Sequence, residues 1–147
     1  MKALIQRVSS ASVLIDNEEH SNINEGLCVF LGIKKNDTEL DVQYLIDKIV
    51  NLRVFADKNN KMNKSIYDTK GSILLVSQFT LYANCKKGNR PSFIDSANKL
   101  IATPLYDLFV NLLISKNIKV ETGLFGANMK INLINDGPVT IMLESKK

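Results

Sequence analysis

Apolar and polar residues alternate through Leu4–Val8 and again through Val13–Asp16, with Ser9, Ser10 and Ala11 between them. Period-two alternation presents one face to a core, so the chain is expected to open with two short β-type runs joined at the serines. Leu27–Ile33 is almost wholly apolar and reads as a third, central strand. Thr38 stands three residues before Asp41 in a capping-box arrangement, and Val42, Leu45, Ile46 and Ile49 follow at helical spacing. The first helix is therefore predicted over about residues 39–51. Asp57–Lys64 is polar and asparagine-rich, a turn leading into the apolar run Ser72–Leu81, where Ile73–Val76 is continuous enough for a strand buried on both faces.

A second helical region is predicted from about Ser92 to Lys116, broken into two pieces at Pro104, with Leu105, Leu108, Phe109, Leu112 and Leu113 at the helical period. The tail returns to β: Ile118–Glu121, then Met129, Ile131 and Leu133, then Val139, Ile141 and Leu143 beyond the Gly137-Pro138 break. Strands outnumber helices. The expected class is α+β, a layered β-β-α sandwich or barrel-like fold with mostly antiparallel sheet and helices on one face. Even spacing of apolar segments, with no linker or repeat, points to one domain over residues 1–147.

Composition narrows this picture. With 45% hydrophobic residues in 147, the chain can bury an independent core, which excludes disorder as its main character. The net charge of +4 permits a polyanionic partner without demanding one. The amino-terminal segment alternates rather than forming an apolar signal region, and no stretch approaches the ~20 apolar residues of a membrane span, so a soluble, cytoplasmic protein is expected. Cys28 lies in an apolar run and Cys85 in a polar loop, which suits two free thiols. The one histidine, His20, falls in the polar stretch Asn17–Glu25, read as a solvated hairpin loop. One imidazole and two distant thiols make no ligand set, so neither a metal nor another cofactor is expected.

Four segments carry candidate chemistry. Ser77-Gln78-Phe79-Thr80 emerges at the end of the buried strand, where a hydroxyl can serve as a nucleophile if a base or positioned donors activate it. Judged by spacing alone, the same residues read as a strand cap. Asn135-Asp136-Gly137-Pro138-Val139-Thr140 is rich in turn formers, yet a Gly-Pro step also exposes carbonyls without sheet partners that can receive an amino group. Gly123-Leu124-Phe125-Gly126-Ala127 allows close backbone approach and offers an aromatic face, although Phe125 alone also reads as core. Lys86, Lys87 and Arg90 surround Gly88 in a loop that suits phosphate or simple solvation equally. Arg90 is one of three arginines, with Arg7 and Arg53, among 16 lysines.

Together, QRVSSASV at 6–13, SQFT at 77–80 followed by LYA, KKGNRPSF at 86–93, ETGLFGANM at 121–129 and NDGPVT at 135–140 resemble the D-aminoacyl-tRNA deacylase (D-tyrosyl-tRNA deacylase) family. The likeness spans the chain. It implies hydrolysis of the ester joining a D-amino acid, or glycine mischarged on tRNA(Ala), to the terminal adenosine of tRNA. It further implies a homodimer whose two sites each combine the SQFT segment of one subunit with a cis Gly137-Pro138 loop of the other. In that reading Gly137 and Pro138 hold the α-amino group and exclude L side chains, with Arg7 bracing their loop. Ser77, Gln78, Phe79 and Thr80 surround the ester, Phe125, Gly126 and Met129 shape the adenosine pocket, and Lys86, Lys87 and Arg90 meet the tRNA.

Without a histidine at the strand end, backbone amides near Phe79 and Thr80 are expected to position the ester while the ribose 2′-hydroxyl assists water. Direct attack by Thr80 stays open. A non-catalytic RNA-binding module and a small-ester hydrolase indifferent to tRNA are the competing classes.

Overall fold

Both faces of the central strands are covered in the computed structural model, which describes residues 1–145. The chain runs β1 (Lys2–Ile15), β2 (Glu18–Ile23), β3 (Gly26–Gly32), helix α1 (Glu39–Val50), a small hairpin of β4 (Phe55–Ala56) and β5 (Met62–Lys64), and short helix α2 (Ile66–Thr69). It continues with β6 (Ser72–Ser77), a 3₁₀ turn over Phe79–Tyr82, helix α3 (Lys99–Ser115), β7 (Lys119–Thr122) and β8 (Lys130–Glu144). Six strands form one sheet in the order β2-β1-β3-β6-β7, with β8 also paired to β1.

The expected α+β class and predominance of antiparallel pairing are present. β1 runs antiparallel to β2, β3 and β8, and β4 to β5, while β3–β6 and β6–β7 are parallel. Parallel neighbours need crossover connections, which α1 with the small hairpin supplies from β3 to β6 and α3 supplies from β6 to β7. At the two ends of the strand order, Ser21 Oγ on β2 donates to the Thr122 carbonyl on β7 at 2.8 Å, so the sheet curls nearly into a barrel.

Two cores result. Inside the curl, Cys28, Leu74 and Val76 pack with Val8, Ala11 and Val13. On the outer face, Leu27, Val29, Ile73 and Leu75 meet the apolar sides of α1 and α3 through Leu45, Ile49, Phe109 and Leu113. Each such side chain taken from water contributes about 1.5–3 kcal/mol, which is why β3 and β6 read as continuous apolar runs. Burial pushes the Cys28 thiol up to about 12, an inert core group, whereas Cys85 is exposed; both are free. No helix is long and apolar enough to cross a membrane among the described residues.

Four local expectations are corrected. The first two β runs are one strand, because the serines lie at bulges: the register of β1 on β8 shifts between Gln6 and Val8 and between Val8 and Ser10. Each shift turns the strand by one face. Ala3 and Ile5 thereby serve the helix-side core, and Val8, Ala11 and Val13 the barrel core. His20 lies on β2 rather than in a loop, exposed beside Glu18 and Glu19 on the outermost strand, where charge blunts an open edge. The polar stretch 57–64 folds into the small hairpin instead of a bare turn.

Helix α3 is continuous through Pro104 and starts at Lys99, not near Ser92. Its cap is Asn98, whose Oδ1 accepts from Ile101 N at 3.1 Å. Proline in the second turn removes the bond to the carbonyl of Leu100, a residue 87% exposed, so the loss falls on the helix's solvent side and the helix continues.

Candidate active site

Strand β6 leaves the sheet at Ser77, opposite Leu31 of β3. Gln78 N still donates to Leu31 O at 2.8 Å, and the chain then winds into the 3₁₀ turn. Within this turn the first donor is Leu81 N, bonded to Gln78 O at 3.3 Å. The amides of Phe79 and Thr80 open the turn and so have no carbonyl inside it to bond. The Gln78 side-chain amide donates to Thr80 Oγ1. An amide N–H is a donor and takes no proton, so this contact orients the hydroxyl without activating it.

Beside the strand end lies a cavity of about 300 Å³ lined by Ser77, Gln78 and Phe79 together with Phe125, Gly126 and Met129. Six of the residues singled out in the sequence thus meet in one place. Thr80 sits on the turn just beyond, exposed and outside the lining. Among the described residues, no ionisable side chain lines the cavity. Phe79 is 56% exposed and meets Phe93 edge-to-face, with centroids 5.0 Å apart. At Gly123 a Cβ would lie 2.6 Å from Met129 Sδ, so the glycine is what lets Met129 fill that wall.

A second constellation forms on β8. Its register on β1 passes from Thr140, opposite Gln6, to Asn135, opposite Val8, and residues 136–139 bulge out of the ladder. Arg7, between those two β1 positions, points into the bulge. Its Nε donates to Asp136 O at 2.9 Å and its Nη1 to Val54 O at 2.5 Å. Asn135 Oδ1 accepts from Val139 N at 2.8 Å, closing the far shoulder. The Gly137-Pro138 peptide at the crest is cis. Gly137 has φ +135°, and a Cβ there would come within 2.9 Å of Arg7 Nη2, so no other residue fits.

Neither Arg7, Gly137 nor Pro138 lines the cavity. Within one chain, the strand-end cavity and the Gly-Pro bulge are therefore separate. Lys86, Lys87 and Arg90 stand exposed on a loop closed by the bridge between Asn84 and Ser92, also outside the cavity. His20 is not part of any of these groups. Among the described residues, no three His, Cys, Asp or Glu side chains gather as metal ligands.

The cavity also has walls that sequence reasoning missed, chiefly Ala97 just ahead of α3, Ala102 near the start of that helix and Asn128 in the 123–129 loop. Asn128 lay within the ETGLFGANM motif. Ala102 was hidden by the expectation that Pro104 interrupts the helix.

A sequence profile for D-Tyr-tRNA(Tyr) deacylase matches residues 4–144. A D-aminoacyl-tRNA deacylase of Thermosipho melanesiensis is 55% identical over 148 residues, covering 100% of this chain and 99% of that protein. One from Clostridium beijerinckii is 52% identical over 147 residues with the same coverage. Among solved structures, one described as c-Myc DNA Unwinding Element Binding Protein superposes with a TM-score of 0.93 at 43% identity, over 100% of both chains. Another, described as a "probable eukaryotic D-amino acid tRNA deacylase", superposes at 0.85 over 97% of this chain and 98% of its own; at 16% identity it speaks to fold alone.

Proposed function

This chain belongs to the D-aminoacyl-tRNA deacylase family and is an ester hydrolase of that kind, and from that premise we propose how its two constellations divide the work. The uncharged cavity at the end of β6 takes the terminal adenosine of the tRNA, with Phe125, Gly126 and Met129 as its walls. The amides of Phe79 and Thr80 hold the ester carbonyl and the charge that develops on it. Water attacks the carbonyl carbon, the bond to the ribose 3′-oxygen breaks, and that oxygen leaves with a proton. Free D-amino acid and tRNA result. The neighbouring 2′-hydroxyl assists the water, a role no cavity side chain can fill.

The observation that carries this reading is the cavity lining: hydrogen-bonding and aromatic groups converge there without one acid or base. The Gln78 contact disfavours Thr80 as nucleophile, since it supplies a donor where a base is needed.

The Gly137-Pro138 bulge acts as the chirality filter on the site of a second copy. Fastened by Arg7 on one side and Asn135 on the other, it offers carbonyls to the α-amino group and leaves no space for an L side chain. Glycine has no side chain to exclude, so glycyl-tRNA(Ala) is accepted too. Two observations support the second copy. The bulge and the cavity are apart within one chain, and β8 contains no fully buried residue, exposing Ile134 at 61% and Met142 at 45%. A homodimer brings such faces together about a twofold axis. Lys86, Lys87 and Arg90 contact the tRNA backbone, and the 147 residues act as one domain in the cytoplasm, where aminoacyl-tRNA is used.

Assays of D-tyrosyl-tRNA, L-tyrosyl-tRNA and D-tyrosine ethyl ester test this function. Hydrolysis of D-tyrosyl-tRNA alone is expected. Cleavage of the free ester at a comparable rate makes the chain a general esterase, and tight nucleic-acid binding without hydrolysis makes it a binding module.

A further inference from the structure

The carbonyl of Leu75, two residues before Ser77 on β6, receives two hydrogen bonds. Gly123 N donates at 3.0 Å and the Tyr106 hydroxyl of α3 at 2.8 Å. Gly123 opens the loop that carries Phe125, and the rings of Tyr106 and Phe125 meet edge-to-face with centroids 5.6 Å apart. Ala102, one helical turn before Tyr106 on the same face of α3, lines the cavity. Three walls of the cavity therefore converge on one carbonyl and one phenol that is itself buried and outside the lining.

We propose that Tyr106 is a positioning residue that sets the shape of the adenosine pocket by pinning Phe125 to the end of β6. Phe125 sits on a loop and is only half-buried, so its own backbone does little to fix it. Tyr106 does so twice: the hydroxyl ties α3 to the same Leu75 carbonyl that holds the loop's first amide, and the ring edge supports the aromatic wall. Burial, with Asp107 nearby, holds the phenol well above its ordinary value, so it stays a donor throughout the neutral range. A core tyrosine with a merely satisfied hydroxyl would affect stability; a pin affects substrate affinity.

The proposal rests on the cavity being the adenosine site, and the test separates the two ideas. Tyr106→Phe keeps the ring and removes the hydroxyl. It is expected to raise KM for D-tyrosyl-tRNA roughly three- to tenfold, with kcat changed less than about twofold. Combined with Phe125→Ala, it should add less than about twofold to the KM of Phe125→Ala alone, because the group it positions is gone. Unchanged KM, a fall in kcat alone, or equal increments with and without Phe125→Ala overturns the proposal. Binding of adenosine 5′-monophosphate gives a readout independent of hydrolysis. It should weaken about three- to tenfold in Tyr106→Phe, and equal binding also overturns the pin. Failure of the unaltered protein to hydrolyse D-tyrosyl-tRNA counts instead against the deacylase function.

Discussion

Arg7 and Asp136 are joined across the β1–β8 ladder by an Nε–H donated to a main-chain carbonyl at 2.9 Å, at the one place where the ladder opens into the Gly137-Pro138 bulge. The guanidinium also reaches Val54 O, so it anchors the bulge to a segment outside both strands. Arg7→Ala removes both bonds and lets the filter move. kcat/KM for D-tyrosyl-tRNA should fall about 10- to 100-fold, and the preference for D over L should narrow, in parallel assays of the two substrates. Unchanged discrimination would show that the bulge holds its shape unaided.

Thr80 is exposed, and its hydroxyl accepts from the Gln78 amide. If backbone amides and the substrate's own 2′-hydroxyl carry the chemistry, Thr80→Ala retains activity to within about tenfold. Single-turnover hydrolysis checks this. A loss of about a thousandfold or more, with folding and tRNA binding intact, makes the hydroxyl a nucleophile.

The absence of ionisable groups from the cavity predicts the pH behaviour. No limb from a cavity side chain is expected between about pH 5.5 and 8; kcat/KM should change there only as the substrate's own α-amino group titrates and as hydroxide becomes available. His20→Gln should leave the profile unchanged, since His20 is exposed on β2 and does not line the cavity. A limb that vanishes in this variant would bring the imidazole into the mechanism.

Gly26 begins β3 so close to β6 that an added Cβ would lie 1.9 Å from Ser72 O. That oxygen is main chain and cannot swing aside. Gly26→Ala should cost about 3 kcal/mol or more, seen as a lowered urea midpoint with little change in slope. A midpoint equal to that of the unaltered protein would mean the two strands can separate without penalty.

Much of this was legible in the chain. Thr38 and Asp41 marked the start of α1, and the unbroken run Ile73–Val76 marked a strand buried on both faces, because capping chemistry and period are local properties. Bulges are not local. Ser9 and Ser10 look like a turn until β8 is seen to pair along the whole of β1, and only that register explains why Ile5 and Val8 serve different cores. Pro104 misled because its cost depends on whether the orphaned carbonyl reaches water, which sequence does not reveal. At the site, Ser77, Phe125 and Met129 were legible through motifs. Ala102 and Tyr106 were not, because their role comes from the packing of α3 against β6 and the 123–129 loop.

Subunit mixing decides whether the cavity and the bulge of one active site belong to different copies. Ala127→Trp fills the cavity from a loop position, and Arg7→Ala unseats the bulge. In a mixed dimer of these two variants, one site carries both lesions and the other carries neither. Each variant alone should keep no more than about a tenth of normal activity toward D-tyrosyl-tRNA, and the two should recover about a quarter of it when unfolded and refolded together in equal amounts. A mixture no more active than the average of its two components would contradict the shared site.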